Sequence, residues 1–186
     1  QTVEFADALA SVTPPSITGE SKVGKPLVAT PGTWNTPGLA FAYQWYRNGV
    51  AIPGATSATF TPTASSYNDE LIVTVTASRA GYQAVTESSQ AIAVGEGDMA
   101  TATVTPVITH GSGGYAVSTG SWSVDGLAYA YQWKVDGTDI SGAKTDSFSY
   151  TGAGAVSVTI TATRFGYADA TIEVTAPTVG GLAITK

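Results

Sequence analysis

One sequence pattern occurs twice in this chain, and a duplication of that length restricts the fold more than any other feature. Gly32-Thr33-Trp34 returns as Gly120-Ser121-Trp122, and Tyr43-Gln44-Trp45 as Tyr131-Gln132-Trp133. Ile52-Pro53-Gly54-Ala55 returns as Ile140-Ser141-Gly142-Ala143, again 88 residues on. After a three-residue deletion the offset is 85. Thr74-Val75-Thr76-Ala77-Ser78-Arg79 then matches Thr159-Ile160-Thr161-Ala162-Thr163-Arg164, and Gly81-Tyr82 matches Gly166-Tyr167. Solenoid repeats run to roughly 20–50 residues. Copies of about 80 residues are long enough to bury a core each. The duplication predicts two autonomous modules in 186 residues.

Each module must be held by packing alone. The chain has no cysteine, which excludes disulfides and thiolate metal sites. Only 12% of residues are charged and the net charge is −6. Residues 1–99 carry four basic and eight acidic side chains, residues 100–186 four and six. An acidic surface with isolated Lys and Arg disfavours nucleic acid. No apolar run reaches the 18 or so residues that span a bilayer, so membrane insertion is not expected. The chain begins at Gln1 without a signal peptide's basic start and apolar run, as in a mature product after cleavage or a piece of a longer protein.

Period-two alternation dominates, and only Val3–Ala10 suits a helical turn. Leu71, Val73, Val75 and Ala77 alternate with Ile72, Thr74, Thr76 and Ser78; Val156, Val158, Ile160 and Ala162 alternate with Ser157, Thr159, Thr161 and Thr163. Such segments read as strands with one buried face in antiparallel sheets. Phe41, Tyr43 and Trp45 share a face, as do Tyr129, Tyr131 and Trp133. Asn48-Gly49 and Asp136-Gly137 follow as tight-hairpin signals. Short strands with turns at this spacing predict β-sandwiches.

Each copy carries Gly-x-Trp, Tyr-Gln-Trp with a turn, Ile-x-Gly-Ala, and a Val-Thr strand ending in Gly-Tyr. In this it resembles the immunoglobulin-like repeats of bacterial and phage proteins, over most of the chain. The resemblance implies an all-β chain of two tandem immunoglobulin-like antiparallel β-sandwiches, with Trp45 and Trp133 central in the cores. The missing inter-sheet disulfide departs from antibody domains but not from this bacterial type. Residues 1–15 read as an N-terminal extension or attachment arm, 16–94 as domain 1, 95–100 as a polar linker, 101–180 as domain 2 and 181–186 as a tail. In the second copy Gly111-Ser112-Gly113-Gly114 replaces Val23-Gly24-Lys25-Pro26, which predicts a looser connection.

Sites for chemistry are few. His110 is the only histidine, no nucleophile-elbow motif accompanies it, and a surface-loop role is expected. Asp136 and Asp139, with Asp125 and Asp146 elsewhere, are too few and too spread for calcium, and Asp136-Gly137-Thr138-Asp139 reads as a hairpin turn. Asp69-Glu70 reads as a solvated turn. No catalytic residue, metal or cofactor is expected. Trp34, Tyr46 and Trp122 lie outside the buried aromatic stripe and are the candidate sugar-stacking rings. For Trp34 and Trp122 a structural cap at a strand start is the competing reading, and Tyr82 and Tyr167 read as packing residues.

These features favour a non-enzymatic structural or adhesive protein on a virion surface or a bacterial cell surface. Its partners would be protein neighbours in a larger assembly, through strand edges or terminal segments, and cell-surface glycans. The alternative is a carbohydrate-binding accessory module of a secreted protein.

Overall fold

The alternating segments become strands because one face of each can be buried while hydroxyl-bearing residues cover the other. A computed structural model describes residues 8–177. The chain divides into two compact units, residues 1–98 and 99–186. Apart from a 3-10 turn at Ala64–Ser66, the regular structure among the described residues is β. Ala8, Leu9 and Ala10 are not helical; residues 3–7 of that expected turn lie outside the described residues.

The first unit contains β1 (Ser11–Thr13), β2 (Ser16–Thr18), β3 (Leu27–Thr30), β4 (Thr33–Trp34), β5 (Ala40–Arg47), β6 (Val50–Ala51), β7 (Thr59–Phe60), β8 (Glu70–Ser78), β9 (Val85–Ser88) and β10 (Ile92–Ala93). One antiparallel sheet runs β2-β3-β7; another runs β10-β8-β5-β6, with β9 also on β8, and β1 pairs with β4. Trp45 is fully buried, its ring stacked 5.4 Å from Phe60 of the facing sheet and its indole N–H donating to Ser57 O at 2.9 Å. The two sheets meet around that ring, with Leu27, Val73 and Val75 also buried.

The second unit repeats this plan with β11 (Ala102–Val104), β12 (Ile108–Gly111), β13 (Gly114–Val117), β14 (Ser121–Trp122), β15 (Ala128–Val135), β16 (Thr138–Asp139), β17 (Ser147–Phe148), β18 (Val156–Thr163) and β19 (Ala170–Thr175). Its sheets are β12-β13-β17 and β16-β15-β18-β19, with β11 on β14. Trp133 is buried, 5.6 Å from Phe148, and donates to Thr145 O at 2.8 Å.

The repeated motifs each close a contact. Gln44 and Gln132 cross to the neighbouring turn and donate to Ile52 O at 2.8 Å and Ile140 O at 2.9 Å. The Ile-x-Gly-Ala turn returns a carbonyl to the tryptophan amide: Trp45 N to Ala55 O and Trp133 N to Ala143 O, both 3.0 Å. Arg79 and Arg164 lie over Tyr82 and Tyr167, at 5.6 and 5.1 Å from the ring centroids, and donate to Pro37 O and Asp125 O. That bond fastens the loop before β5 or β15 to the end of β8 or β18, the packing role expected for the two tyrosines. In Gly-x-Trp, Gly32 (φ 72°) and Gly120 (φ 67°) are needed twice over, since a Cβ would also strike Thr13 O or Val104 O.

That contact also ties the N-terminal segment to the first unit. Thr13 and Val104 are equivalent, so the described residues before Pro15 have a counterpart in the second unit. Leu9 and Ala100 are both buried, as are Pro15 and Pro106. Residues 8–15 are thus packed into the first unit, while residues 1–7 of the supposed arm, and the tail 181–186, lie outside the described residues. Residues 95–98, read as a linker, are likewise bound into the first unit. Gly95 N donates to Ser21 O at 2.8 Å, Val23 N donates to Gly95 O at 3.1 Å, and Asp98 meets Lys22 at 3.2 Å and Lys25 at 2.5 Å.

Candidate functional site

The three stacking candidates do not converge. Trp34 is half-buried, tilted 6.3 Å from Phe41 on the inner face of β5, and its N–H donates to Pro31 O at 3.0 Å. Tyr46 stands on the outer face of the same sheet, opposite Ile72 and Ala51. The two rings therefore share no platform. Trp122 repeats the Trp34 arrangement in the second unit: 6.2 Å from Tyr129, N–H to Thr119 O at 2.9 Å, and packed on Ala100, Ala162 and Ala170. For both tryptophans this is the contact set of a cap over one end of the core.

The acidic candidates serve turns. Asp136 (φ 50°) and Gly137 (φ 76°) form the hairpin tip, as Asn48 (φ 49°) and Gly49 (φ 78°) do in the first unit. Asp136 Oδ1 accepts from Ala155 N at 2.8 Å, the same task Asn48 Oδ1 performs for Glu70 N. Asp69 is more engaged than a solvated turn requires. It accepts from Asn48 Nδ2 at 2.7 Å and faces Arg47 at 3.6 Å. Among the described residues no three His, Asp or Glu side chains gather as metal ligands. No described helix is long and apolar enough to cross a membrane.

His110 lies in the part of the second unit that differs most from the first. β12 and β13 form a tight hairpin through Ser112 and Gly113, with His110 opposite Tyr115 and Gly111 opposite Gly114. The imidazole is exposed and sits 4.5 Å from the Tyr115 ring. Tyr115 is 6.3 Å from Trp133, and Phe148 is stacked 5.5 Å from Tyr150. An aromatic chain therefore runs from the core to the surface.

Open depressions of about 380 Å³ each flank this hairpin. Both include His110, Gly111, Gly114 and Tyr115. One continues over Thr109 and Ser147, the other over Ser112, Thr151 and Gly152. A further depression, of about 400 Å³, lies in the first unit beside Arg47, Ile52 and Phe60. There the Arg47 guanidinium is already taken by Ser65 O, at 3.0 Å, and by Asp69.

Sequence reasoning set His110 aside because it sought nucleophiles and metal ligands. The usable signal was the loss of bulk at 111–114 next to an aromatic at 115. No protein-family model matches the chain, and no curated protein matches it.

Proposed function

We propose that this is a non-enzymatic display protein: two tandem immunoglobulin-like sandwiches carried on the outside of a larger assembly, a phage virion or a bacterial cell surface. Support comes first from the duplication in three dimensions. Both units are built on the same buried tryptophan, the same glutamine crossing and the same arginine–tyrosine clamp. Two copies of one self-sufficient module add reach and valency. Weak contacts from many displayed chains sum to retention, because each contact after the first is effectively intramolecular. The low charge and hydroxyl-rich outer sheet faces suit an exposed scaffold.

The first experiment is electron microscopy of intact source particles and cells with a labelled antibody to the chain. Regular decoration of a virion or envelope is the expected result. Recovery of the native chain only as a free monomer would overturn the reading and move weight to a secreted accessory module.

A further inference from the structure

Two glycines of the second-unit hairpin answer no demand of the fold. Gly114 does: its φ is 120°, and a Cβ would collide with the Phe148 carbonyl. Gly111 and Gly113 have no positive φ, and a Cβ on either meets nothing within 4 Å. Any small side chain fits there, and glycine makes a hairpin less rigid. The longer loop that makes this connection in the first unit carries Val23, buried at 1% exposure. What bare backbone at 111 and 113 provides is close approach for something outside the chain, into two depressions of which Gly111 lines both and Gly113 one.

We propose that the Gly111–Gly114 hairpin, with His110 and Tyr115, is the contact site for a neutral saccharide. This rests on the display reading and names what the displayed module touches. Apart from the imidazole, no ionisable group of ordinary charge lines either depression. An anionic or cationic ligand would lose hydration there with no opposite charge to replace it. A wholly apolar ligand would cover the Ser112 and Thr151 hydroxyls without answering them, although Thr109 Oγ1 already donates weakly to Ala116 O at 3.4 Å. A pyranose ring satisfies both conditions, with a C–H face for the Tyr115 and His110 rings and hydroxyls for the side-chain and backbone groups. The depressions fall within the usual size range of small-molecule sites, roughly 300–1,000 Å³. Being open, they bury little of a sugar, so binding is weak and depends on multivalency.

The test is a titration of the ¹⁵N-labelled intact chain with methyl glucoside, galactoside, mannoside and N-acetylglucosaminide. With at least one sugar, saturable amide shifts are expected at Gly111–Gly114 and Thr151, with a dissociation constant on the order of 1 mM. Gly111→Leu, whose Cβ meets nothing within 4 Å, puts a side chain at a position lining both depressions and should abolish the shifts while other amides stay in place. His110→Ala should weaken binding several-fold. The inference falls if no sugar gives saturable shifts at the hairpin, or if shifts appear at Trp34, Tyr46 or Trp122 instead. It also falls if Gly111→Leu binds as well as the parent, or if only apolar peptides saturate the site. Microscopy of particles separates this from the display reading. Decoration without sugar binding overturns the saccharide site alone; sugar binding at the hairpin by a chain found only free overturns display alone.

Discussion

In the first unit residues 19–26 join the strand pair β2–β3, and Val23 and Pro62 seal that end of the core. In the second, residues 110–114 make the same connection, none of them is buried, and Tyr150 stands where Pro62 does. The first unit's longer loop also reaches residues 93–98, through Ser21 Oγ to Ala93 O at 2.5 Å and the Lys22, Lys25 and Asp98 cluster. One copy spends this loop on closing itself, and the other leaves bare glycines and aromatic rings at the surface. The centres of the units did not diverge with their ends, because a buried tryptophan touches both sheets while a hairpin tip touches only its neighbours.

If the units are autonomous, the largest effect comes from their centres. Trp133→Ala should cost about 3–5 kcal/mol. Amide signals of the second unit should be lost or broadened in NMR spectra while those of residues 8–98 persist, and Trp45→Ala should do the reverse. Simultaneous loss of both sets would break the comparison. Gly32→Ala and Gly120→Ala come next, at about 2 kcal/mol or more, since each combines positive-φ strain with a backbone collision. Equal losses in denaturant melts would confirm that β1 serves the first unit as β11 serves the second.

The Gly32 position also shows why the N-terminal strand was illegible. Ser11-Val12-Thr13-Pro14-Pro15 and Ala102-Thr103-Val104-Thr105-Pro106 share little beyond the final proline, at an offset of 91 rather than 88. The backbone pairing they share leaves no mark on side-chain identity, the bond that Thr13 Oγ1 accepts from Thr33 N at 2.9 Å has no equivalent at Val104, and the three-residue shorter hairpin shifts the numbering.

Arg79→Ala and Arg164→Ala should each cost about 1–2 kcal/mol, losing a ring contact and a bond to a loop carbonyl. Calorimetry should find the two losses alike. A smaller effect has opposite signs in the two copies. Thr159 Oγ1 is buried without a partner, whereas its equivalent, Thr74 Oγ1, donates weakly to Gln44 O at 3.4 Å. Thr159→Val should leave the second unit unchanged or raise its stability by up to about 1 kcal/mol, and Thr74→Val should slightly lower that of the first.

The least effect belongs to the lysine cluster, which is exposed and screened by salt. Hydrogen bonds from Lys25 and then Lys22 hold the Asp98 carboxyl below its ordinary range, and Asp98 holds both lysines above theirs. The contact is therefore complete above the ordinary aspartate range. It fades as pH falls through the depressed Asp98 value, or rises through the elevated lysine values. Hydrogen exchange at Gly95 should quicken at those two extremes relative to Asp98→Asn, and high salt should erase the difference.

The sequence alone determined what depends on neighbours along the chain: strand alternation, the Asn-Gly and Asp-Gly hairpins, and the duplication with its tryptophans. Those features repeat because local conformation and burial select the same residue types each time. Only the tertiary structure decided which glycines the fold requires, that Trp34 packs against one face of the β5 sheet while Tyr46 stands on the other, and that residues 95–98 are bonded into the first unit. Each of these depends on atoms distant in sequence. The collision at Gly120 is with Val104 O, whereas Gly111 meets nothing.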